Sequence, residues 1–230
     1  MAWQAKPSGG YIYNSTEGLA NIAEMDAYFS GEGFTKEAIA GICGNSYAES
    51  ALNPWRWQSD TYNLSGGYGL FQYTPASGYI NDCSHLQGYA PNMSTSIQTA
   101  GADPGDGLAQ CIAFRQNTLA KWQMLCWRPY WAPATYPTEY AYRTQVLNEY
   151  GSGNRITLDQ FSQIDDITAA TFVFLACFEG PAELHLSDRV YWAERIYPYI
   201  TGGGGQIDDA VLTNLLVLRK KRKGRGFYIY

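Results

Sequence analysis

The residue with the clearest chemical potential in this 230-residue chain is Glu49, which lies near the end of a stretch with helical periodicity. At about 100° per residue, Glu49 shares a sector of about 80° with Ile39 and Ile42, so its carboxyl extends an apolar helix face. Apolar surroundings and the negative end of a helix both favour the neutral form of a carboxylic acid. A neutral carboxylic acid is the group that protonates the leaving oxygen in glycoside cleavage. The alternative is an ordinary glutamate that faces solvent.

A glycine-rich segment some twenty residues later could supply polar side chains opposite this acid. Three glycines interrupt alternating apolar and polar residues over 55–74, which predicts a small β-hairpin or meander. Glycine lets the backbone approach a ligand closely, and the segment ends in the hydrogen-bonding side chains Gln72, Tyr73 and Thr74. We therefore expect this hairpin to form one wall of a cleft that contains Glu49.

Other common catalytic patterns are missing from the sequence. His85 and His185 have no Cys or His neighbours at zinc-ligand spacing, and no phosphate-binding, dinucleotide-binding or serine-hydrolase motif is present. The sequence therefore predicts no metal and no organic cofactor. The five cysteines are odd in number and widely spaced among apolar residues, which predicts reduced, buried thiols rather than a disulfide framework. They are Cys43, Cys83, Cys111, Cys126 and Cys177.

Helix start and stop signals predict that a mainly α-helical fold positions these groups. Capping residues and helical spacing predict helices over about 15–30, from Thr35 to Asn53-Pro54, from Asp103 to about Trp122, over 167–178 and over 187–200. A capping box at Thr157 marks a further helix start. The aromatic-rich stretch from Trp122 to Tyr142 is predicted to be a loop region, with short helical turns as an alternative.

Composition separates a folded domain from a distinct tail. Apolar residues make up 46% and charged residues 16%, which excludes a disordered chain. No apolar run approaches the roughly 18 residues of a membrane-spanning helix, and the first ten residues do not resemble a secretory signal. We expect a domain over 1–201, followed over 202–230 by a glycine-rich linker and a basic tail with six of the sixteen basic residues. The tail is either a solvated arm or a contact for an anionic polymer.

The sequence motifs resemble those of the lysozyme-like superfamily. Glu49-Ser50 and Gly69-Leu70-Phe71-Gln72 are similar to the Glu-Ser pair and the Gly-Leu-Met-Gln element of lytic transglycosylases and goose-type lysozymes. AESALNPWRW and GGYGLFQYTPAS resemble more closely the phage tail lysozyme family, the cell-wall-degrading domains at the tail tips of short-tailed phages. Phe178-Glu179-Gly180-Pro181 also matches an aromatic-Glu-x-Pro ending in that family. The resemblance covers about residues 14–200.

The resemblance implies a mainly α, lysozyme-like α+β domain that cleaves the β-1,4 bond between N-acetylmuramic acid and N-acetylglucosamine without a cofactor. It implies that Glu49 is the general acid. Asp60 would stabilise positive charge at the sugar or orient water, unless it is only a turn-forming aspartate. The implied substrate-binding residues are Ser50, Tyr68, Gly69, Gln72, Tyr73 and Thr74.

Several alternatives stay open at this point. If Asp60 lies outside the cleft, the mechanism could resemble that of lytic transglycosylases, where one Glu acts as acid and then base and the muramyl 6-hydroxyl attacks. Glu179 is expected to be a buried partner of Arg189 or Arg195. A non-catalytic wall-binding tail protein and a basic-tailed nucleic-acid packaging protein are two further hypotheses.

The resemblance also implies where and with what the protein works. The expected substrate is the glycan strand of peptidoglycan, with other phage tail proteins as further partners. A nucleic-acid partner is not expected. The expected location is the virion tail tip, acting on the bacterial cell wall after synthesis in the host cytoplasm.

Overall fold

A computed structural model describes residues 3–6, 8–83, 105–117, 121–123, 125, 128 and 130–202. Within these residues the chain is mainly α-helical, as predicted. The helices are α1 Thr16–Gly31, α2 Lys36–Ser50, α3 Ala76–Cys83, α4 Gly105–Arg115, α5 Pro137–Tyr150, α6 Leu158–Phe161, α7 Ile167–Phe174 and α8 Leu186–Ile196. Single turns of 3-10 helix lie at Gln58–Asp60 and Tyr197–Tyr199, and α7 continues into a π-helical turn at Leu175–Glu179.

Side-chain caps fix the starts of four helices. The side-chain oxygens of Ser15, Thr35, Thr157 and Asp166 each accept a hydrogen bond from the backbone N–H three residues later. At Thr157 the bond is reciprocated by the side chain of Gln160, which completes a capping box. All four starts are where the capping signals in the sequence predict them.

Helix α2 is the central helix of the fold and packs against α7 and α8. Two glycines permit the close approach. A Cβ atom at Gly41 would lie 2.8 Å from the backbone carbon of Ala170 on α7, and one at Gly44 would lie 2.7 Å from Ala193 Cβ on α8. Real Cβ atoms do not approach so closely in a packed interior. The C-terminal turn of α2, which carries Glu49, is therefore held directly against α8.

A cluster of aromatic rings joins the helices to the segment after α2. Phe114 on α4 lies at its centre, with its ring centroid 4.9–6.5 Å from those of Phe29, Phe34, Phe71, Trp122, Phe161, Phe174 and Phe178. Aromatic rings bury large apolar areas and pack edge to face at these distances. The cluster therefore connects α1, α4, α6 and α7 with residues 54–74, which we call the wall loop.

The predicted β-hairpin over residues 55–74 is not confirmed. In the described part of the chain, the wall loop forms only isolated antiparallel bridges, between Trp57 and Tyr68 and between Tyr68 and Tyr73. Its backbone leaves the β region repeatedly, because Ser59, Asp60, Gly69 and Gln72 have φ values of 57°, 52°, 81° and 44°. These turns prevent a continuous strand ladder.

Three helix ends and two helices differ from the sequence prediction. The sequence did not predict α3 over Ala76–Cys83, and α8 ends at Ile196 rather than at 200, with a 3-10 turn after it. Helix α2 ends at Ser50, before the predicted Asn53-Pro54, because Ala51 adopts the left-handed conformation with φ 49°. Helix α4 ends at Arg115 rather than Trp122, and the predicted start at Asp103 lies outside the described residues. The loop prediction is wrong over 137–142, where α5 begins with Pro137 in its first turn.

The predicted buried, reduced thiols are confirmed for Cys43, Cys111 and Cys177. Cys126 lies outside the described residues, and the side chain of Cys83 is not described. His85 and residues 203–230 also lie outside the described residues, so the division of the chain at residue 202 stays a prediction. Within the described ranges, no helix is long and apolar enough to cross a membrane.

Candidate active site

Glu49 lies in the last turn of α2 and is held by a buried arginine from α8. Arg189 donates from Nη2 to Glu49 Oε1 at 2.5 Å and from Nη1 to Asn45 Oδ1 at 3.0 Å. Asn45 in turn donates to the carbonyl oxygens of Gly41 and Thr171. The side chain of Arg189 is 8% exposed and that of Glu49 is 21% exposed. Three helices therefore fix the orientation of a carboxyl that is still accessible.

The Glu49 carboxyl borders a cavity of about 400 Å³, which we call the cleft. Glu179 and Pro181 line it from the chain after α7. The wall loop also lines it, with Arg56, Gln58, Ser59, Gly67, Gln72 and Thr74. The volume lies within the range of small-molecule sites, and polar side chains predominate in the lining. Such a cleft fits a hydroxyl-rich ligand.

A buried glutamine on α4 anchors the wall loop. The Gln110 side chain accepts a hydrogen bond from Leu70 N–H at 2.6 Å and donates one to the Pro54 carbonyl at 2.7 Å. Gly69 has φ +81°, and a Cβ atom there would lie 2.2 Å from Gln110 Oε1. A glycine is therefore required where the loop passes over this amide.

Gln72 and Thr74 are the two predicted substrate-binding residues that the structure brings to the cleft. The Gln72 side chain donates to the carbonyl oxygens of Arg56 and Gly69, at 3.2 and 3.0 Å. Thr74 is exposed and its hydroxyl donates to the Gln72 carbonyl at 3.0 Å. Both residues therefore bring polar groups to the cleft that Glu49 borders.

The other four predicted substrate-binding residues pack inside the protein. Ser50 is fully buried, and its hydroxyl contacts the carbonyl oxygens of Ser46 and Leu70, so it ties α2 to the wall loop. Tyr68 and Tyr73 are buried in the aromatic core, where Tyr73 stacks on Tyr79 with centroids 4.7 Å apart. Gly69 contacts Gln110. These residues shape the wall without lining the cleft.

The structure does not bring Asp60 to the cleft. Its carboxylate accepts a hydrogen bond from Gly9 N–H at 2.7 Å and lies 3.6 Å from Arg56 Nε. Asp60 ends a single 3-10 turn and is not among the residues that line the cavity. These contacts fit a turn aspartate that fastens the N-terminal segment to the wall loop.

Glu179 is buried near the charge of Arg189, as predicted, but the ion pair of Arg189 is made with Glu49. The arginine expected beside it, Arg189, forms its ion pair with Glu49, and Arg195 stacks on the Tyr191 ring at the surface. Glu179 ends the π-helical turn before Gly180 and borders the cleft. Burial raises the pKa of Glu179 well above its usual value, and the nearby charge of Glu49 raises it further, against the opposing charges of Arg189 and Lys121.

A second cavity of about 270 Å³ adjoins the cleft, because Gln72, Thr74 and Glu179 line both. It adds the cationic side chains of Lys121 and Arg128. Burial lowers the pKa of Lys121, and the charge of Glu179 opposes that shift. Both cavities are lined mainly by polar and charged side chains. Across the described residues, no cluster of three or more His, Cys, Asp or Glu side chains could hold a metal ion.

Comparison with known proteins identifies the family. The sequence profile of the phage tail lysozyme family matches residues 20–200, which include α2, the wall loop and Glu179. The chain belongs to the phage tail lysozyme family. This family assignment names a lysozyme-like phage protein. It also agrees with the resemblance seen in the motifs around Glu49 and Gln72.

A relative from a phage extends the comparison within this family. The chain is 49% identical over 178 residues to morphogenesis protein 1 of Bacillus phage B103. The aligned region is 77% of this chain but 38% of that protein. The chain thus spans less than half the length of this curated relative.

Proposed function

We propose that this protein is a muramidase that cleaves the β-1,4 bond between N-acetylmuramic acid and N-acetylglucosamine in peptidoglycan. The observation that carries the proposal is the position of Glu49, held by Arg189 at one side of a polar cleft of about 400 Å³. Family membership supports the substrate class.

In the proposed reaction, Glu49 acts as the general acid on the glycosidic oxygen. The bond from the muramyl C1 to that oxygen breaks as the oxygen takes the proton and the bonding electron pair. Water then adds to C1, which leaves a reducing muramic end. Gln72 and Thr74 lie where their polar groups can bind sugar hydroxyls or the attacking water.

A lytic transglycosylase is a second candidate function, and the position of Asp60 supports it. Because Asp60 is engaged with Gly9 and Arg56 outside the cleft, it is poorly placed to activate water at C1. In the alternative reaction, the muramyl 6-hydroxyl attacks C1 and forms an anhydro end. A wall-binding protein without activity is less well supported, because the cleft retains an accessible carboxyl.

The biological setting is part of the same proposal. The relative from Bacillus phage B103 is named for morphogenesis, and the family is named for the phage tail. We infer that the protein is carried on the virion tail and opens peptidoglycan during cell-wall penetration. A role for the basic tail in contacting an anionic polymer stays a prediction.

The test is digestion of purified peptidoglycan by the wild type and by Glu49→Gln, with mass analysis of the released muropeptides. Glu194→Gln is the control, since Glu194 is exposed on α8. Reducing muramic ends that vanish only in Glu49→Gln support the muramidase, whereas anhydro ends move the assignment to a transglycosylase. No release by the wild type at any pH would reject both activities.

A further inference from the structure

The cleft contains a second carboxyl that the proposed reaction does not yet use. Glu179 borders the cleft together with Glu49, and it also borders the adjoining cavity. Its Oε1 atom is buried and has no hydrogen-bond partner among the described residues. Buried carboxyl oxygens nearly always have partners in folded proteins. An unpartnered one beside a substrate cleft is typical of a functional group.

Arg189 is engaged elsewhere in the cleft, because its Nη2 atom donates to Glu49 and its Nη1 atom donates to Asn45. General acid catalysis needs a proton in the cleft at working pH. A second carboxyl that keeps its proton would provide it.

The surroundings of Glu179 favour the protonated form of its carboxyl. Three charged groups act on it: Glu49 from α2, Arg189 from α8 and Lys121 from the chain between α4 and α5. Arg128 lines the adjoining cavity together with Glu179. Burial and Glu49 raise the pKa of Glu179, and Lys121 and Arg189 only partly oppose this. Two carboxyls in one cleft do not ionise independently, and a proton held there belongs to the pair.

We propose that Glu49 and Glu179 form a coupled carboxyl pair that carries one proton in the cleft, and that Glu179, rather than Asp60, is the second catalytic carboxyl. The inference rests on the proposed glycosidase function. In the reaction the pair gives its proton to the glycosidic oxygen while the bond from C1 breaks. Water then adds to C1, and the proton that it releases returns to the pair, which restores the starting charge.

The experiment compares Glu179→Gln with the matched control Asp60→Asn in kcat, KM and pH profile on purified peptidoglycan. Both changes replace a carboxyl by an amide of similar size. Loss of a proton-transfer group costs about 100-fold or more in kcat, so Glu179→Gln should lose that much with KM nearly unchanged. The alkaline limb of its pH profile should also move to lower pH, because the carboxyl whose pKa is raised has been removed. Asp60→Asn should stay within about threefold of the wild type.

Two results would overturn the pair. In the first, Glu179→Gln has the kcat of the wild type and its pH profile keeps the same alkaline limb. In the second, Glu179→Gln has a reduced kcat but the alkaline limb is still not shifted, which indicates a structural role for Glu179. Thermal unfolding establishes that the variant is folded. If Glu179→Gln does not fold, Glu179→Asp is tested instead. Its carboxyl is shorter by one methylene, so kcat should fall by about 10-fold or more. A kcat equal to that of the wild type would exclude the pair.

The design separates this inference from the function on which it depends. A wild type that releases no muropeptides contradicts the proposed glycosidase itself. A wild type that is active, a Glu49→Gln variant that is inactive and a Glu179→Gln variant like the wild type contradict only the carboxyl pair.

Discussion

Arg189 on α8 and Glu49 on α2 are separated by 140 positions in the chain and joined by a hydrogen bond of 2.5 Å. The same guanidinium holds Asn45, one turn earlier on α2. One side chain thus connects the packing of two helices to the orientation of the proposed catalytic carboxyl. Changes to this contact should affect stability and activity together.

The first prediction concerns the loss of that arginine. Arg189→Met should lower the free energy of unfolding by about 3 kcal/mol, because it leaves a partly buried carboxylate without its partner. Urea unfolding measures this loss, and muropeptide release should fall as Glu49 loses its orientation. Arg195→Met on the same helix is the control, expected to change stability by less than about 1 kcal/mol because its ring contact is exposed. Equal effects of the two variants would contradict the assigned role.

The second prediction concerns the contact between α2 and α8. Gly44→Ala would place a methyl carbon 2.7 Å from Ala193 Cβ and from the Arg189 carbonyl oxygen, so α8 must move away. Overpacking of this kind costs about 1–3 kcal/mol, and the displacement of Arg189 should also reduce activity. Thermal unfolding and peptidoglycan digestion measure the two effects.

The control for that change is Gly31→Ala at the end of α1, where a Cβ atom would meet nothing within 4 Å. This variant should be neutral or slightly stabilising, since alanine restricts the unfolded chain more than glycine does. A destabilised Gly31→Ala, or a fully active and stable Gly44→Ala, would show that the helix contact is looser than described.

The third prediction tests how the wall loop is anchored. Gln110→Ala removes the partners of Leu70 N–H and the Pro54 carbonyl in a buried environment. An unsatisfied buried group costs about 1–3 kcal/mol, so the variant should be at least about 2 kcal/mol less stable. KM for peptidoglycan should rise because Gln72 and Thr74 move with the loop. Gln116→Ala, at an exposed position just after α4, should change stability by no more than about 0.5 kcal/mol.

The fourth prediction concerns the buried thiols. Burial and the charge of Asp26 raise the pKa of Cys43, and burial raises that of Cys111. In a Cys83→Ser, Cys126→Ser background, the native protein should therefore not react with a thiol reagent at pH 8 or at pH 9, because the reactive thiolate is absent. All three thiols should react after denaturation in urea. Rapid labelling of the native variant would mean that these cysteines are accessible.

Local sequence signals predict the helices well and the wall loop poorly. Capping by Ser15, Thr35, Thr157 and Asp166 depends on neighbouring residues, so these helix starts were predictable. The wall loop is stabilised by a distant residue, Gln110, and by left-handed backbone at non-glycine positions. Alternating polarity predicted a hairpin here, and the prediction failed because a local pattern does not reveal such tertiary contacts.

In the candidate site, too, local sequence predicts some positions and tertiary contacts determine the others. Helical periodicity places Glu49 at the edge of the buried face of α2, which is where the structure has it. The Arg189 pairing and the position of Glu179 depend on α7 and α8 packing against α2, which spacing within one segment does not encode. The expectation of a cleft position for Asp60 came from resemblance, and its bond to Gly9 was not foreseeable from neighbouring residues.

The side chains that hold the wall loop have one further consequence. Gln58, Gln72 and Gln110 bond its backbone through carboxamides, and these groups do not change charge at any physiological pH. These three amide contacts are thus independent of pH, unlike the contacts of the Asp60 carboxylate with Gly9 and Arg56. Titration of Glu179 can then take place without loosening the amide contacts of the wall loop. In the proposed enzyme, the glutamines would hold the loop in the same way over the whole range of pH in which it works.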